Sequence, residues 1–317
     1  MRHRFGAARQ RAIDAVLSDR SLNARMDALG LHLTRRGVHA VSIAPNGDVE
    51  ATSTIEADLS AAVQQAVHQA ARGRPVSVVG VAVDSGDAID VPAATRALND
   101  AGYRQHVHVV SAGAAAVCAE VWIGAARAAT HAICLWIGDT VLAGILLQGR
   151  PWSGAHGLAG SAAWLALNPV ERQDYRKFGS LGAEVSNRGI ARRLAWRIQA
   201  GDHSAVLERA GDLDAITADH VFAGARSGDG VAISVVRDTA KYIGMAVANL
   251  ASTIDPEVVV LSGSVAAHGD LLIEPVRQEC ARRLPPAMAE RFRCEVSPLG
   301  DNGVAIGAAR LASGAAE

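Results

Sequence analysis

The order of predicted elements constrains this chain more than any single residue does. Paired short strands, a helix, a buried strand and a second helix follow one another, and the scheme then runs through again. In the first pass, residues 30–33 and 38–43 alternate like paired strands, Pro45-Asn46-Gly47-Asp48 carries a turn signal, and a third run covers 49–55. A helix is predicted over 59–72, with Ala62, Val63, Ala66 and Ala70 on one face. The valine-rich run 76–83 reads as a buried strand. A short helix at 93–101, a strand at 106–111 and a helix at 114–128 follow. The second pass opens with strands at 133–137 and 141–147 and a turn at Gln148-Gly149-Arg150. The remainder is mainly helical, with buried strands at 258–261 and 294–297. Two such passes imply an α/β chain of two lobes with a central cleft. Residues 1–28 stand apart as a charged helical arm, 7–17 followed by a turn at Ser18-Asp19-Arg20-Ser21, too short for a winged helix-turn-helix and its linker. The expected boundaries are the arm at 1–28, a small lobe at 29–122 joined by a C-terminal helix at 303–317, and a large lobe at 123–302.

With 317 residues, 50% hydrophobic and 20% charged, the chain has enough apolar material for two ordinary domains. Its formal net charge of −1 creates no global field toward nucleic acid or an anionic membrane. The arginine pairs at 35–36, 192–193 and 282–283 lack interleaved aromatics and read as solvated helix ends. No apolar run follows Met1-Arg2-His3-Arg4, which argues against a signal peptide, and none reaches the roughly 18 residues that span a bilayer. Cys118, Cys134, Cys280 and Cys294 are widely spaced beside apolar residues, as buried free thiols of a reducing compartment are. A cytoplasmic protein with neither membrane nor nucleic-acid partner is expected.

The most specific stretches lie in the second half. Ile254-Asp255-Pro256-Glu257-Val258-Val259-Val260-Leu261-Ser262-Gly263-Ser264 is similar to the adenosine-side strand and turn of the ROK family, the repressors, open reading frames and sugar kinases of the actin-like ATPase (ribonuclease H-like) fold. Gly269-Asp270-Leu271-Leu272-Ile273-Glu274-Pro275-Val276 continues it, and the stretch 299–309 resembles the family's closing segment. Gly179-Ser180-Leu181 through Ile190-Ala191-Arg192-Arg193 matches the signature region, and 137–160 aligns with the second phosphate hairpin. The resemblance covers residues 29–313. It implies a homodimer paired through the larger lobe and ATP-dependent phosphorylation of a sugar hydroxyl. That chemistry needs backbone N–H groups around the phosphates, Mg²⁺ and a carboxylate base.

Position by position, those groups are replaced. The family's Asp-x-Gly-Gly-Thr corresponds to His32-Leu33-Thr34-Arg35-Arg36, read as a polar turn in which Thr34 and Arg35 are the remaining candidate ligand contacts. The catalytic Asn-Asp pair falls on Ser111-Ala112, and alanine cannot take a proton; Asn99-Asp100 belongs to the preceding helix end and does not replace it. A positioned base contributes about 10²–10⁴ in rate. Ala-Gly-Glu-x-Gly-His corresponds to Ala159-Gly160-Ser161-Ala162-Ala163-Trp164, which removes a sugar-binding carboxylate and a histidine that would contact sugar or zinc. The zinc loop's final cysteine is Ser180, and His106 with His108 lacks further ligands, so no metal is expected. Gly-Thr-Gly-Ile-Gly becomes Gly138-Asp139-Thr140-Val141-Leu142 with Gly144 kept. Gly138, Asp139, His156, Ser161 and Gly263 complete the candidate ligand-binding set.

Loss of these groups together, with core periodicity intact, indicates a degenerate pseudokinase that binds a sugar-like small molecule or acts as a regulatory or scaffolding subunit without a cofactor. Two enzymatic alternatives stand beside it. One is repurposed chemistry built from His32, Asp139, His156 and Glu184. The other is a divergent sugar kinase using ATP and Mg²⁺ through remodelled loops. The repressor branch is disfavoured by the missing reader module.

Overall fold

The computed structural model describes residues 28–44, 48–72, 76–84, 89–104 and 107–315. The predicted N-terminal arm, the 45–47 part of the first turn and His106 lie outside the described residues. The chain divides into two compact units, one of residues 1–134, 144–160 and 301–317 and one of 135–143 and 161–300. Residues 123–134 and 144–160, assigned to the large lobe from sequence, therefore pack with the N-terminal unit.

In the N-terminal unit, β1 (Ala28–Leu33), β2 (Val38–Ile43), β3 (Val49–Ile55), β4 (Val78–Val83) and β5 (Val107–Ser111) form a sheet in the order β3-β2-β1-β4-β5. β1 pairs antiparallel with β2 and parallel with β4. Every residue of β1 is buried, His32 included, so both faces of this central strand are covered. Helix α1 (Leu59–Ala71) inserts Ala62, Val63, Ala66, Val67 and Ala70 into this core. Asp58 caps it by accepting from the amides of Ser60 and Ala61. Helices α2 (Val91–Asp100) and α3 (Ala112–Trp122) follow β4 and β5.

The last helix of the chain returns to this unit and packs on β1 and β4. A Cβ on Gly30 would stand 1.8 Å from the carbonyl oxygen of Ala305, and one on Gly80 would stand 2.1 Å from that of Ala308. The two glycines thus let a helix backbone approach a sheet more closely than any side chain permits.

The second sheet has the order β10-β9-β6-β7-β8, built from β6 (Ala132–Ile137), β7 (Val141–Leu147), β8 (Arg150–Pro151), β9 (Val258–Ser262) and β10 (Cys294–Val296). The unit boundary runs through its β6–β7 hairpin. The other unit is otherwise mainly helical. It contains α4 (Gln173–Phe178), α5 (Ser180–Val185), α6 (Asn187–Gln199), α7 (Ala205–Ala210), α8 (Ala218–Arg226), the long α9 (Gly230–Ile254), α10 (Gly269–Ala281) and α11 (Pro286–Ala289). The closing helix already described is α12 (Gly303–Ala315). Asp229 caps α9 at one end, and Asp255 ends it in the left-handed region at φ 52°. Among the described residues no helix is long and apolar enough to cross a membrane.

The helix predicted at 114–128 starts two residues earlier and stops at Trp122. The buried Glu120 accounts for the stop: its Oε2 accepts the Ala125 amide at 2.9 Å and its carbonyl accepts the amides of Gly124 and Ala126, which turns the chain out of the helix.

Candidate functional site

The His32–Arg36 corner joins β1 to β2. His32 is 2% exposed, and its Nε2 stands 3.4 Å from Oδ1 of Asp84, the residue after β4, which is 5% exposed. His39, directly opposite His32 on β2, stacks on it with ring centroids 5.9 Å apart and contacts Thr54 Oγ1 through Nδ1 at 3.0 Å. Burial, and then the neighbouring His32, pull the His39 imidazole below its ordinary range. His32 therefore sits in a packed interior cluster. Asp84 is a functional-looking carboxylate that sequence reasoning missed; its one signal was the first polar residue after a valine run.

The turn itself is closed. Thr34 Oγ1 accepts from the amides of Arg36 and Gly37 at 3.3 and 3.2 Å and donates to the Gly37 carbonyl at 3.0 Å. Amides that face the Thr34 hydroxyl are not presented to a phosphate. The side chains of Arg35 and Arg36 are exposed.

β5 runs directly into α3 at Ser111-Ala112. Ser111 is the helix cap, its Oγ accepting the Ala114 amide at 3.1 Å, and Ala112 is fully buried. The corner holds a committed hydroxyl and a methyl group, neither of which can serve as a base. Asn99 and Asp100 end α2. His156 is exposed in the segment after β8, between Gly154 and Gly157, which have φ of 73° and 71°.

In the second unit three turns converge. Asn187 opens α6; its Nδ2 donates to Asp139 Oδ1 and to Ser264 Oγ, both at 3.0 Å, and its backbone N–H donates to the Gly138 carbonyl at 2.9 Å. Gly263, between β9 and Ser264, has φ 86°, and a Cβ there would lie 2.5 Å from the Ile137 carbonyl oxygen. Only glycine fits that approach. Gly138, Asp139 and Gly263 are thus brought together, with Asn187 and Ser264 as members the sequence did not reveal. Asp139 is exposed, so the cluster offers a carboxylate to its surroundings, which repels phosphate oxygens and favours neutral or cationic groups.

Ser161 and Trp164 lie at the ends of a 3-10 turn, Ala162–Trp164, that is seated against Gly179 and Gly182. Ser161 is exposed and the Trp164 indole is 59% exposed. Glu184 lies elsewhere in character. Its side chain is 2% exposed, with Oε1 at 2.6 Å from Arg172 Nη2 and from the Tyr175 hydroxyl, and Oε2 at 3.5 Å from Arg193 Nε. Arg193 also donates to Thr239 and to the Val235 carbonyl. Burial lowers the Arg193 pKa and Glu184 acts against that shift. Glu184 is the anion of a buried ionic cluster and is not presented to a ligand.

A shallow groove of about 240 Å³ on the same unit is lined by Arg193, Trp196, Arg197, Ala200, Val235 and Asp238, and none of the sequence-predicted site residues faces it. Among the described residues no three His, Cys, Asp or Glu side chains group as a metal-ligand set.

The ROK family profile matches residues 102–315. Over 194 residues the chain is 30% identical to the glucokinase of Halalkalibacterium halodurans, an alignment covering 61% of this chain and 59% of that enzyme. The chain thus spans about six-tenths of that curated relative's length. A ROK family glucokinase from Streptomyces griseus, solved in complex with glucose and AMPPNP, superposes with a TM-score of 0.78 at 24% identity, covering 90% of this chain and 99% of that one. A ROK family transcriptional regulator, a homolog of the E. coli MLC protein, superposes with a TM-score of 0.75 at 20% identity, covering 91% and 78%. At these identities the superpositions speak for the fold alone, the α/β fold of ROK sugar kinases with its actin-like ATPase architecture. With a family match across two-thirds of its length, this chain belongs to the ROK family.

Proposed function

We propose that this ROK-family protein no longer transfers a phosphoryl group and acts instead by binding a sugar-like ligand in a regulatory or scaffolding role. The observation that carries the reading is the β5–α3 corner. Where the family resemblance calls for a carboxylate base, Ala112 is buried and the Ser111 hydroxyl is held by the Ala114 amide. Without a positioned base a rate loss of about 10²–10⁴ follows. The residues at the other expected contacts do not fit a nucleoside triphosphate with Mg²⁺ either. The Thr34 turn closes its amides on its own hydroxyl, and Asp139 offers negative charge where the family hairpin offers glycine and threonine. ATP and Mg²⁺ have no role in this reading.

A protein described as a transcriptional regulator shares the fold, so the fold is compatible with a role other than phosphoryl transfer. The glucose carried by the superposed glucokinase makes neutral sugars the first ligands to try. Pairing into a homodimer, a cytoplasmic location and independence from nucleic acid belong to the same reading and rest on the resemblance. The test is a thermal-shift titration with glucose, xylose, N-acetylglucosamine and MgATP. A ligand at 100 times its dissociation constant stabilises by about 2.7 kcal/mol. The reading expects at least one sugar to raise Tm and MgATP to leave it unchanged. Stabilisation by MgATP and by no sugar would contradict it.

A further inference from the structure

The shallow groove between α6 and α9 lies wholly within the second unit. Arg193, Trp196, Arg197 and Ala200, the last ending α6, are spaced to share one side of that helix. Val235 and Asp238 line the groove from α9. The helices do not fill the space beside Ala200, which brings only a methyl group.

Trp196, Ala200 and the buried Val235 make the lining apolar. The Trp196 indole, 41% exposed, is held by two guanidinium groups, Arg192 at 4.7 Å and Arg172 at 5.6 Å from the ring centroid. A wall fixed before a ligand arrives costs little further ordering when it is covered.

Most charges around this lining are already engaged. Arg193 is held by Glu184, Thr239 and the Val235 carbonyl. Arg197 donates through Nε to Asp202 and through Nη1 to Ser234 Oγ at 3.1 Å, which leaves Nη2 without an acceptor among the described residues. Asp238 is exposed and accepts no hydrogen bond from any described residue. Its exposed neighbours on α9, Arg237 and Lys241, form no ion pair with it. One donor and one carboxylate thus remain uncommitted, one on each wall, while Arg193 and Arg197 are each balanced by a carboxylate. A simple anion would face Asp238 as a like charge. A zwitterion of no net charge with an apolar group matches all three features.

We propose that the α6–α9 groove binds a free α-amino acid with an apolar side chain, such as phenylalanine or leucine. The ammonium meets Asp238, the carboxylate meets Arg197 Nη2, and the side chain lies against Trp196, Val235 and Ala200. Each charged end exchanges water for an opposite charge, so neither is desolvated without compensation. The volume of about 240 Å³ lies below the roughly 300–1,000 Å³ of drug-sized sites, which suits a ligand of amino-acid size. The site is independent of the sugar-binding reading.

The full chain is titrated by calorimetry with phenylalanine, leucine and serine. Phenylalaninamide, which lacks the carboxylate, and N-acetylphenylalanine, which lacks the ammonium, are run beside them. Asp238→Asn and Arg197→Gln variants are treated alike, with Tm to confirm folding and sedimentation to follow assembly. Phenylalanine or leucine should bind, and serine and both derivatives should bind about tenfold or more weakly, equivalent to about 1.4 kcal/mol. Asp238→Asn should weaken phenylalanine about tenfold and leave N-acetylphenylalanine unchanged. Arg197→Gln should weaken phenylalanine similarly and leave phenylalaninamide unchanged. A structural role alone would not separate the derivatives in this way. N-acetylphenylalanine binding as tightly as phenylalanine would mark an anion or peptide C-terminus site, and phenylalaninamide doing so would mark a cation or peptide N-terminus site; either overturns the proposal. A dimer that Asp238→Asn takes apart would make a second copy the occupant and overturn it too. Sugar binding with no amino-acid binding would overturn this proposal and leave the proposed function standing.

Discussion

Replacing Glu184 with alanine tests whether this carboxylate is an anchor or a reactive group. Its side chain is 2% exposed and that of Arg193 is 11% exposed, so the mutation leaves a cation in the interior with its counter-charge gone. Breaking a buried pair from one side costs about 3–5 kcal/mol, because the remaining charge keeps its desolvation penalty. Arg172, 35% exposed, can turn toward water, which places the expected loss near the lower end, about 3–4 kcal/mol. For a compact unit of this size each kcal/mol moves Tm by about 2–4 °C, giving a fall of roughly 6–16 °C. The assay is thermal and urea unfolding followed by circular dichroism, with Glu184→Gln beside it. Glutamine keeps the shape and an acceptor for Tyr175 but removes the charge, and it should lose most of the same stability. A Glu184→Ala midpoint within about 2 °C of the parent would refute the anchor account.

Two further perturbations follow from the packing. His268 contacts Asp219 through Nε2 at 3.0 Å and Arg226 Nη2 through Nδ1 at 3.2 Å, with Arg226 paired to Asp270 and the ring stacked on Phe222. Burial outweighs Asp219 and holds its pKa below 6.5, so the native state prefers the neutral ring; its stabilisation is present above pH 6.5 and fades as pH falls through that value toward the lower folded pKa. The urea midpoint should therefore drop between pH 7 and pH 5, and His268→Gln should flatten the drop; identical slopes in the two proteins would contradict this. Gly30→Ala places a methyl group 1.8 Å from the Ala305 carbonyl, backbone against backbone, and should cost about 3 kcal/mol or more by urea denaturation, whereas an unchanged midpoint would mean α12 does not lie on β1 as described.

What sequence alone made legible follows from how local the signal was. The strands over 38–43, 49–55 and 141–147 and the helix from Leu59 were predicted to within a residue because period, turn residues and an Asp cap all act over a few positions. At the β5–α3 corner the strand end at Ser111 was readable, whereas the helix starts at Ala112, two residues before its expected start, because Ser111 itself caps it. The end of α3 was misjudged because Glu120, buried where a charge is rarely found, bonds forward to Ala125. Asp84 escaped notice because its contact with His32 spans 52 residues and exists only once β4 pairs with β1. Asn187 meets Asp139 and Ser264 across 48 and 77 residues, and each looks like an ordinary turn residue in isolation. Glu184 is the reverse case. A carboxylate in a signature region invites a chemical role, and the ion pairs with Arg172 and Arg193 that favour an anchoring one come from residues that look unrelated to it in sequence.

The most direct measurement is sugar-dependent release of ADP by the full chain with saturating Mg²⁺ and ATP, across glucose, mannose, xylose and N-acetylated amino sugars. With the buried Ala112 where the family resemblance calls for the proton-removing carboxylate, the proposed reading expects release to stay at the sugar-free background for every sugar, including any that raises Tm. Sugar-dependent turnover at about 1 s⁻¹ or faster, within the ordinary range for enzymes, would show that another group performs the transfer and that the account is wrong.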